Sequence, residues 1–288
     1  VWEREEVEKI VRDHGGYFAS SPEVDAFVRP THWVDLEQTL REQHAIVLLG
    51  TSGTGKTTAA QVMLDGLRGE IPGLAVVRVS DGRLDTVTAP RLAGPVAFHL
   101  EDPWGRYRLE PTALPWNEAL GRLLSTAGGN LKFIVTSRSD IFNEAGLTSP
   151  PLKYIQRLEV EHYGWDERVQ MYERRRSRMP WELQLTAVHT RDSVLEKLRS
   201  PLEIQRFFDA LEDGRVPEES ERDFVERCCG QAHKDTIEQT IVVQIGMRDA
   251  WDQAVIVWGL LKARPSLSRE QILRVRLKLA DALEALAD

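Results

Sequence analysis

The chain has 288 residues, 42% hydrophobic and 28% charged, the make-up of a globular protein with enough material for a sizeable core. Its formal net charge of −8 excludes broad, sequence-independent coating of nucleic acid, which needs a basic surface, and leaves a local basic groove open. No run of ~18 apolar residues is present, so no segment is expected to span a membrane, and no stretch reads as a signal peptide.

The length admits two domains, or one large domain with a helical appendage. The only cysteines, Cys228 and Cys229, are adjacent. Neighbouring cysteines rarely bridge each other, and two ligands do not complete a zinc site, so they read as reduced thiols of a cytoplasmic protein. The first residue is Val1 rather than Met, and the expectation is a piece of a longer protein or a processed chain.

Residues 1–13 read as a helix, with Val7, Ile10 and Val11 at helical spacing. Residues 14–30 read as irregular, broken by Gly15-Gly16, Ser20-Ser21-Pro22 and Pro30. A helix is expected over 33–43. Then residues 45–49 (AIVLL) form an apolar run without alternation, which suits a strand buried on both faces of a parallel sheet. A helix follows from Lys56 to about Leu67. Similar runs recur at 74–79 (LAVVRV), 96–100 (VAFHL) and 131–135 (LKFIV), with a weaker one at 154–160. A helix at 115–127 separates two of them. Strands alternating with helices imply parallel βαβ units with right-handed crossovers.

After Val160 the strand signal stops. Helices are expected at 166–177, 183–192, 202–211, 220–229, 236–245, 248–262 and 268–287. The last opens on Ser268 with Gln271, a capping box. The expected organisation is an N-terminal helix and linker (1–30), an α/β domain (31–160), a helical segment placed as a lid (161–215) and a C-terminal helical domain (216–288), for which a winged helix is one form.

Residues 50–57 read GTSGTGKT and fit G-x-x-x-x-G-K-[ST] at every fixed position. Gly50 and Gly55 permit the turn around a phosphate, and Gly53 adds a further flexible position. Backbone amides of the loop, from Ser52 through Thr54 to Thr58, would form an anion nest at the positive end of the following helix. Lys56 supplies a mobile cation for the β- and γ-phosphates, and Thr57 a hydroxyl for Mg²⁺. A buried-type strand before the loop and a helix after it are the context the motif requires. The expected ligands are therefore ATP or ADP with Mg²⁺.

The run 96–100 ends in Glu101-Asp102. Acids at the tip of a core strand suit the second motif of such proteins: one holds the Mg²⁺ shell, the other polarises the attacking water. Glu101 is assigned to the metal and Asp102 to water; the roles can be exchanged, and a solvated turn helped by Pro103 is the alternative. The run 131–135 is followed by Thr136-Ser137-Arg138. Strand ends on one edge of such a sheet converge on the ligand crevice, so Arg138 can reach phosphate; a helix cap plus a surface arginine is the plainer alternative.

These pieces together resemble the STAND class of P-loop NTPases, signalling switches related to AAA+ ATPases. The resemblance rests on GTSGTGKT (50–57), FHLEDPWG (98–105) and FIVTSRSDIF (133–142), and covers roughly residues 25–215. The LEDPWG wording is similar to the bacterial "novel STAND" families of large antiviral and conflict proteins. FVRPTHW (27–33), which includes Val28, is similar to the segment before the P-loop that holds adenine. The resemblance implies a three-layer α/β/α parallel sheet, a γ-phosphate contact for Arg138, and an adenine-packing proline in the lid. Pro201 in RSPLEIQRF (199–207) matches best, although Ser200, Pro201 and Glu203 also make an ordinary helix start. The family's phosphate-contacting histidine has no clear match; His233 stands only by elimination.

Arg174, Arg175, Arg176 and Arg178 read as a solvated helix face balanced by nearby acids. The tryptophans at 33, 104, 116, 165, 181, 251 and 258 read as core, and His99 as a packed strand histidine. The leading function is an ATP-driven regulatory switch in a larger protein, with effector or sensor domains of the same protein and a nucleotide-dependent homo-oligomer as partners. A DNA-processing AAA+ ATPase and a small-molecule kinase are the alternatives.

Overall fold

The computed structural model describes residues 22–79, 94–106, 109–110, 113–147 and 151–233. By its contacts the chain divides into two compact units, Val1–His233 and Lys234–Asp288. The described residues all lie in the first. The helices expected at 1–13, 236–245, 248–262 and 268–287 fall outside them.

Five strands make one parallel sheet: β1 (Ala45–Gly50), β2 (Ala75–Val79), β3 (Val96–Glu101), β4 (Leu131–Arg138) and β5 (Ile155–Arg157), in the order β2-β3-β4-β1-β5. β4 lies between β1 and β3, with Gly50 paired to Arg138 and Glu101 to Thr136. The ends of these three strands therefore share one edge.

Strand alternation assigns the two faces. Ile46, Leu48, Val76, Ala97 and Ile134 pack with α2 (Trp33–Gln43) and α3 (Lys56–Glu70). Ala45, Val47, Leu49, Val77, Val79, Phe98, Leu100, Phe133 and Val135 pack instead with α4 (Leu114–Ser125) and α5 (Ser139–Glu144). The result is the expected three-layer α/β/α arrangement. The fully buried AIVLL run in β1 follows from this double cover.

Helices α6 (Trp165–Arg176), α7 (Trp181–Lys197), α8 (Pro201–Glu212) and α9 (Glu221–His233) follow. Their shared core joins the α2/α3 face of the sheet. Tyr172, Phe207 and Phe208 form its aromatic centre, with Tyr172 edge-on to Phe208 at 4.8 Å. The helix expected to open the C-terminal domain, α9, packs here on α8.

Several expectations need correction. Residues 14–30 are not wholly irregular, because Pro22–Ala26 forms a short helix, α1. β4 runs on through Thr136-Ser137-Arg138 instead of ending at Val135, since Glu101 and Gly50 on its neighbours continue the pairing. β5 is only three residues, because 3₁₀ turns at Leu152–Tyr154 and Val160–His162 take up the ends of the expected run. Trp33, Trp104 and Trp116 are core, but Trp165 and Trp181 are 42% and 67% exposed. The arginine run is not simply solvated: Arg174 donates to the Phe27 carbonyl, Arg175 to Gln205 and Arg176 to Glu173.

Candidate functional site

The loop between β1 and α3 is shaped by its glycines. Gly53 and Gly55 have φ of 84° and 83°, where a side chain is strained. Gly50 is required for a different reason: a Cβ there would lie 2.0 Å from the Leu158 carbonyl oxygen. Ser52 is exposed at the loop tip, Thr54 is buried with its hydroxyl donating to the Thr51 carbonyl at 3.1 Å, and Thr57 and Thr58 are half-buried in the first turn of α3. The Lys56 ammonium donates to the carbonyls of Gly50 at 3.0 Å and Thr51 at 2.7 Å. Burial lowers its pKa to about 8, against the opposing pull of Asp102 and Glu159.

Glu101 ends β3 with its carboxylate beside this turn. Thr57 Oγ1 donates to its Oε1 at 3.3 Å, and Arg78 Nε to its Oε2 at 2.7 Å. A hydroxyl and a carboxylate meeting at the start of a P-loop helix fit a hard cation such as Mg²⁺. Asp102 turns sharply away at φ 46°, its amide donating to the Thr136 carbonyl at 2.8 Å and its carbonyl accepting from Gly105 at 2.9 Å. That tight turn seats Trp104 in the core, edge-on to Phe142. Burial and the neighbouring Glu101 raise the Asp102 carboxyl to about 6, while Lys56, Arg106 and Arg138 pull it back. His99 is fully buried, its ring bonded to Thr136 Oγ1 at 3.0 Å.

Arg138 occupies the last position of β4, level with Gly50 and between the loop and the acids. Its guanidinium forks onto Asp140, Nε to Oδ1 at 3.0 Å and a terminal nitrogen to Oδ2 at 2.6 Å. The position also precedes α5, so the plainer helix-cap alternative describes its backbone, although its side chain makes no cap bond.

Helix α8 reaches the same loop. Ser200, Pro201 and Glu203 form a full capping box, with the Glu203 amide on Ser200 Oγ at 3.1 Å and the Ser200 amide on Glu203 Oε2 at 2.8 Å. The next amide, Leu202, donates to the Gly53 carbonyl at 3.2 Å. Pro201 is thus both an ordinary helix start and an immediate neighbour of the phosphate loop. His233 bonds Glu203 at 3.2 Å, which places it at the foot of this helix. Val28 is 3% exposed, and with Phe27, Val62, Asp65, Gln170 and Arg174 it lines a shallow pocket between α3 and α6.

A family model described as novel STAND NTPase 3 matches residues 27–176, just over half of the chain. The chain belongs to the novel STAND NTPase 3 family. Membership makes it a P-loop NTPase module, a type that binds nucleotide and usually Mg²⁺. Solved structures that resemble this STAND module include the RuvB Holliday junction branch migration motor of Thermotoga maritima, at 19% identity and TM-score 0.38 over 70% of this chain and 68% of that one. Others are a Walker-type ATPase of Pyrococcus abyssi (13%, TM-score 0.42, 80% and 75%) and the ORC1 protein of Aeropyrum pernix in complex with DNA (14%, TM-score 0.43, 72% and 66%). No curated protein matches the chain. Among the described residues of the STAND module, no helix is long and apolar enough to cross a membrane.

Four contacts of this STAND module escape sequence reasoning. Arg78 holds Glu101; its only signal is a lone charge in the apolar run LAVVRV. Glu159 accepts from the Thr51 amide at 3.3 Å, and an acid two residues beyond a short edge strand is a faint sign of it. Tyr163 donates to the Thr54 carbonyl at 3.0 Å, and Leu202 covers Gly53; neither carries any local signal.

Proposed function

We propose that this chain is the ATP-binding, slowly hydrolysing switch module of a larger bacterial defence or signalling protein, working in the cytoplasm with effector or sensor domains of the same protein. The observation that carries the reading is the bond from the lid amide of Leu202 to the Gly53 carbonyl. It makes the conformation of the phosphate loop and the position of the helical lid parts of one arrangement, which is what a nucleotide-set switch needs.

The placement of the residues supports the following roles. Gly50, Ser52, Gly53, Thr54, Gly55, Lys56, Thr57 and Thr58 cradle the phosphates, and Val28 and Pro201 flank the adenine. Thr57 and Glu101 would hold Mg²⁺, which when bound neutralises phosphate charge. Asp102 accepts the proton of the attacking water, since a half-buried carboxylate raised to about 6 is a stronger base than an ordinary aspartate. Arg138 senses the γ-phosphate. A single such contact shifts a two-state equilibrium without driving it fully, so nucleotide-dependent self-assembly supplies the remainder.

The test is twofold. The γ-phosphate should go to water, slowly and without stimulation by DNA; transfer to an acceptor would make the chain a kinase, and strong DNA stimulation a DNA-processing motor. Hydrogen exchange across residues 161–212 should differ between ADP and a non-hydrolysable ATP analogue. Identical exchange would leave a static nucleotide-binding domain.

A further inference from the structure

Three strand ends meet beside the phosphate loop, in the spatial order β4, β1, β5. Polar residues lie just past them: Ser139 directly after β4, Thr51 directly after β1, and Glu159 two residues beyond β5. The Glu159 carboxylate spans all three. Its Oε2 accepts from the Thr51 amide at 3.3 Å and its Oε1 from the Ser139 hydroxyl at 3.3 Å. Arg157, the last residue of β5, lies 3.8 Å from Oε1. The backbone under the carboxylate is fastened too: the Glu159 amide donates to His162 Nδ1 at 3.1 Å, and Leu158 is tied to Leu49 at 2.7 Å.

The residues joined in this way have functional neighbours. Thr51 opens the phosphate loop, and its carbonyl also holds Lys56. Ser139 is the first residue of α5 and directly follows Arg138. We propose that Glu159 is a positioning residue for nucleotide sensing, which locks the entry of the phosphate loop to the strand end that carries Arg138. This rests on the nucleotide-binding reading above. Glu159 acts through the two segments it joins and sets the distance between them. Thr51 and Ser139 directly follow two adjacent parallel strands whose pairing ends at Gly50 and Arg138, so the ladder no longer keeps the two segments in step there. A carboxylate with two acceptor oxygens supplies the missing cross-link, and glutamine keeps the same reach with one acceptor and one donor.

The experiment uses the full chain and measures the affinity ratio between a non-hydrolysable ATP analogue and ADP, with thermal stability recorded alongside. Glu159→Ala is expected to reduce that preference about tenfold, and Glu159→Gln to restore it to within about threefold, because the bridge survives and only the charge is lost. In an Arg138→Ala background, Glu159→Ala should change the preference no further, since the residue it positions is gone. A preference unchanged in Glu159→Ala overturns the proposal, as does a Gln variant as impaired as the Ala variant. An additive effect in the Arg138→Ala background overturns it too, because it would leave Glu159 a general brace of the loop. A parent chain that binds neither nucleotide would instead defeat the underlying reading, which the same titration reveals first.

Discussion

Leu202 covers Gly53 so closely that a Cβ on the glycine would lie 2.8 Å from the Leu202 Cβ and 2.9 Å from its Cδ2. The same two residues share the backbone bond between lid and loop. Gly53 also has φ of 84°, a conformation that costs a residue with a side chain ~1–2 kcal/mol. Gly53→Ala is therefore opposed twice, by its own backbone and by the lid. We expect nucleotide affinity, measured by calorimetry, to fall at least about tenfold. Leu202→Ala in the same chain should recover little, because the nearest obstacle is a Cβ that alanine retains. Full recovery would show that the Leu202 side-chain tip, not the loop conformation, sets the cost.

Asp102 and Lys56 predict the pH profile of ATP hydrolysis. A base must be ionised, and burial with the adjacent Glu101 raises Asp102 to about 6, so kcat/KM should climb as pH rises through that value. Lys56 must be protonated, and burial lowers it to about 8, so the rate should decline above that. Asp102→Asn should cut turnover about a hundredfold or more and abolish the acid limb, with ATP affinity nearly unchanged. Asparagine tolerates the positive φ of 46° found there, so the backbone should survive the change. An acid limb that persists in this variant assigns it to another group, with Glu101 the first to examine.

Arg138 is engaged by Asp140, whose side chain is 63% exposed. Exposed pairs of this kind contribute ~1 kcal/mol or less, whereas a charge-assisted bond to a phosphate is worth ~1.5–3 kcal/mol. The γ-phosphate should therefore win the guanidinium. Arg138→Ala is expected to weaken binding of an ATP analogue about tenfold to a hundredfold and leave ADP affinity unchanged. Asp140→Asn should alter either by less than about fivefold. Equal losses for both nucleotides in Arg138→Ala would place the arginine away from the γ-phosphate.

Arg78 neutralises Glu101 through two guanidinium nitrogens. In the metal role proposed for Glu101, a cation already on the carboxylate competes with the metal and also fixes the carboxylate in place. In Arg78→Ala, the Mg²⁺ concentration for half-maximal hydrolysis should fall about threefold or more, while maximal turnover also falls. A Mg²⁺ titration at saturating ATP reads both. An unchanged half-maximal concentration would make the pair a scaffold only.

The phosphate loop was legible because its chemistry is local. Eight consecutive residues contain the glycines that turn the chain, the lysine and the hydroxyl, and a preceding apolar run marks the strand that feeds it. The placement of Glu101, Asp102 and Arg138 beside that loop was legible for a related reason, since each follows a strand core and strand ends of one sheet share an edge. The extent of β4 was not, because Thr136 and Ser137 are polar in isolation and become strand only through pairing with Leu48 and Leu49 of β1 and, for Thr136, with Glu101 of β3.

What the sequence determined alone is the conformation and charge of a short loop, set by glycine torsions and the start of a helix. What only the tertiary structure decided is which distant groups close around it. Glu159 meets Thr51 across 108 residues and Tyr163 meets Thr54 across 109, and Leu202 arrives from a separate helix. Such contacts depend on strand order and on the packing of the lid, where the pairing partner is chosen by the whole sheet and core, so no local pattern in the chain announces them.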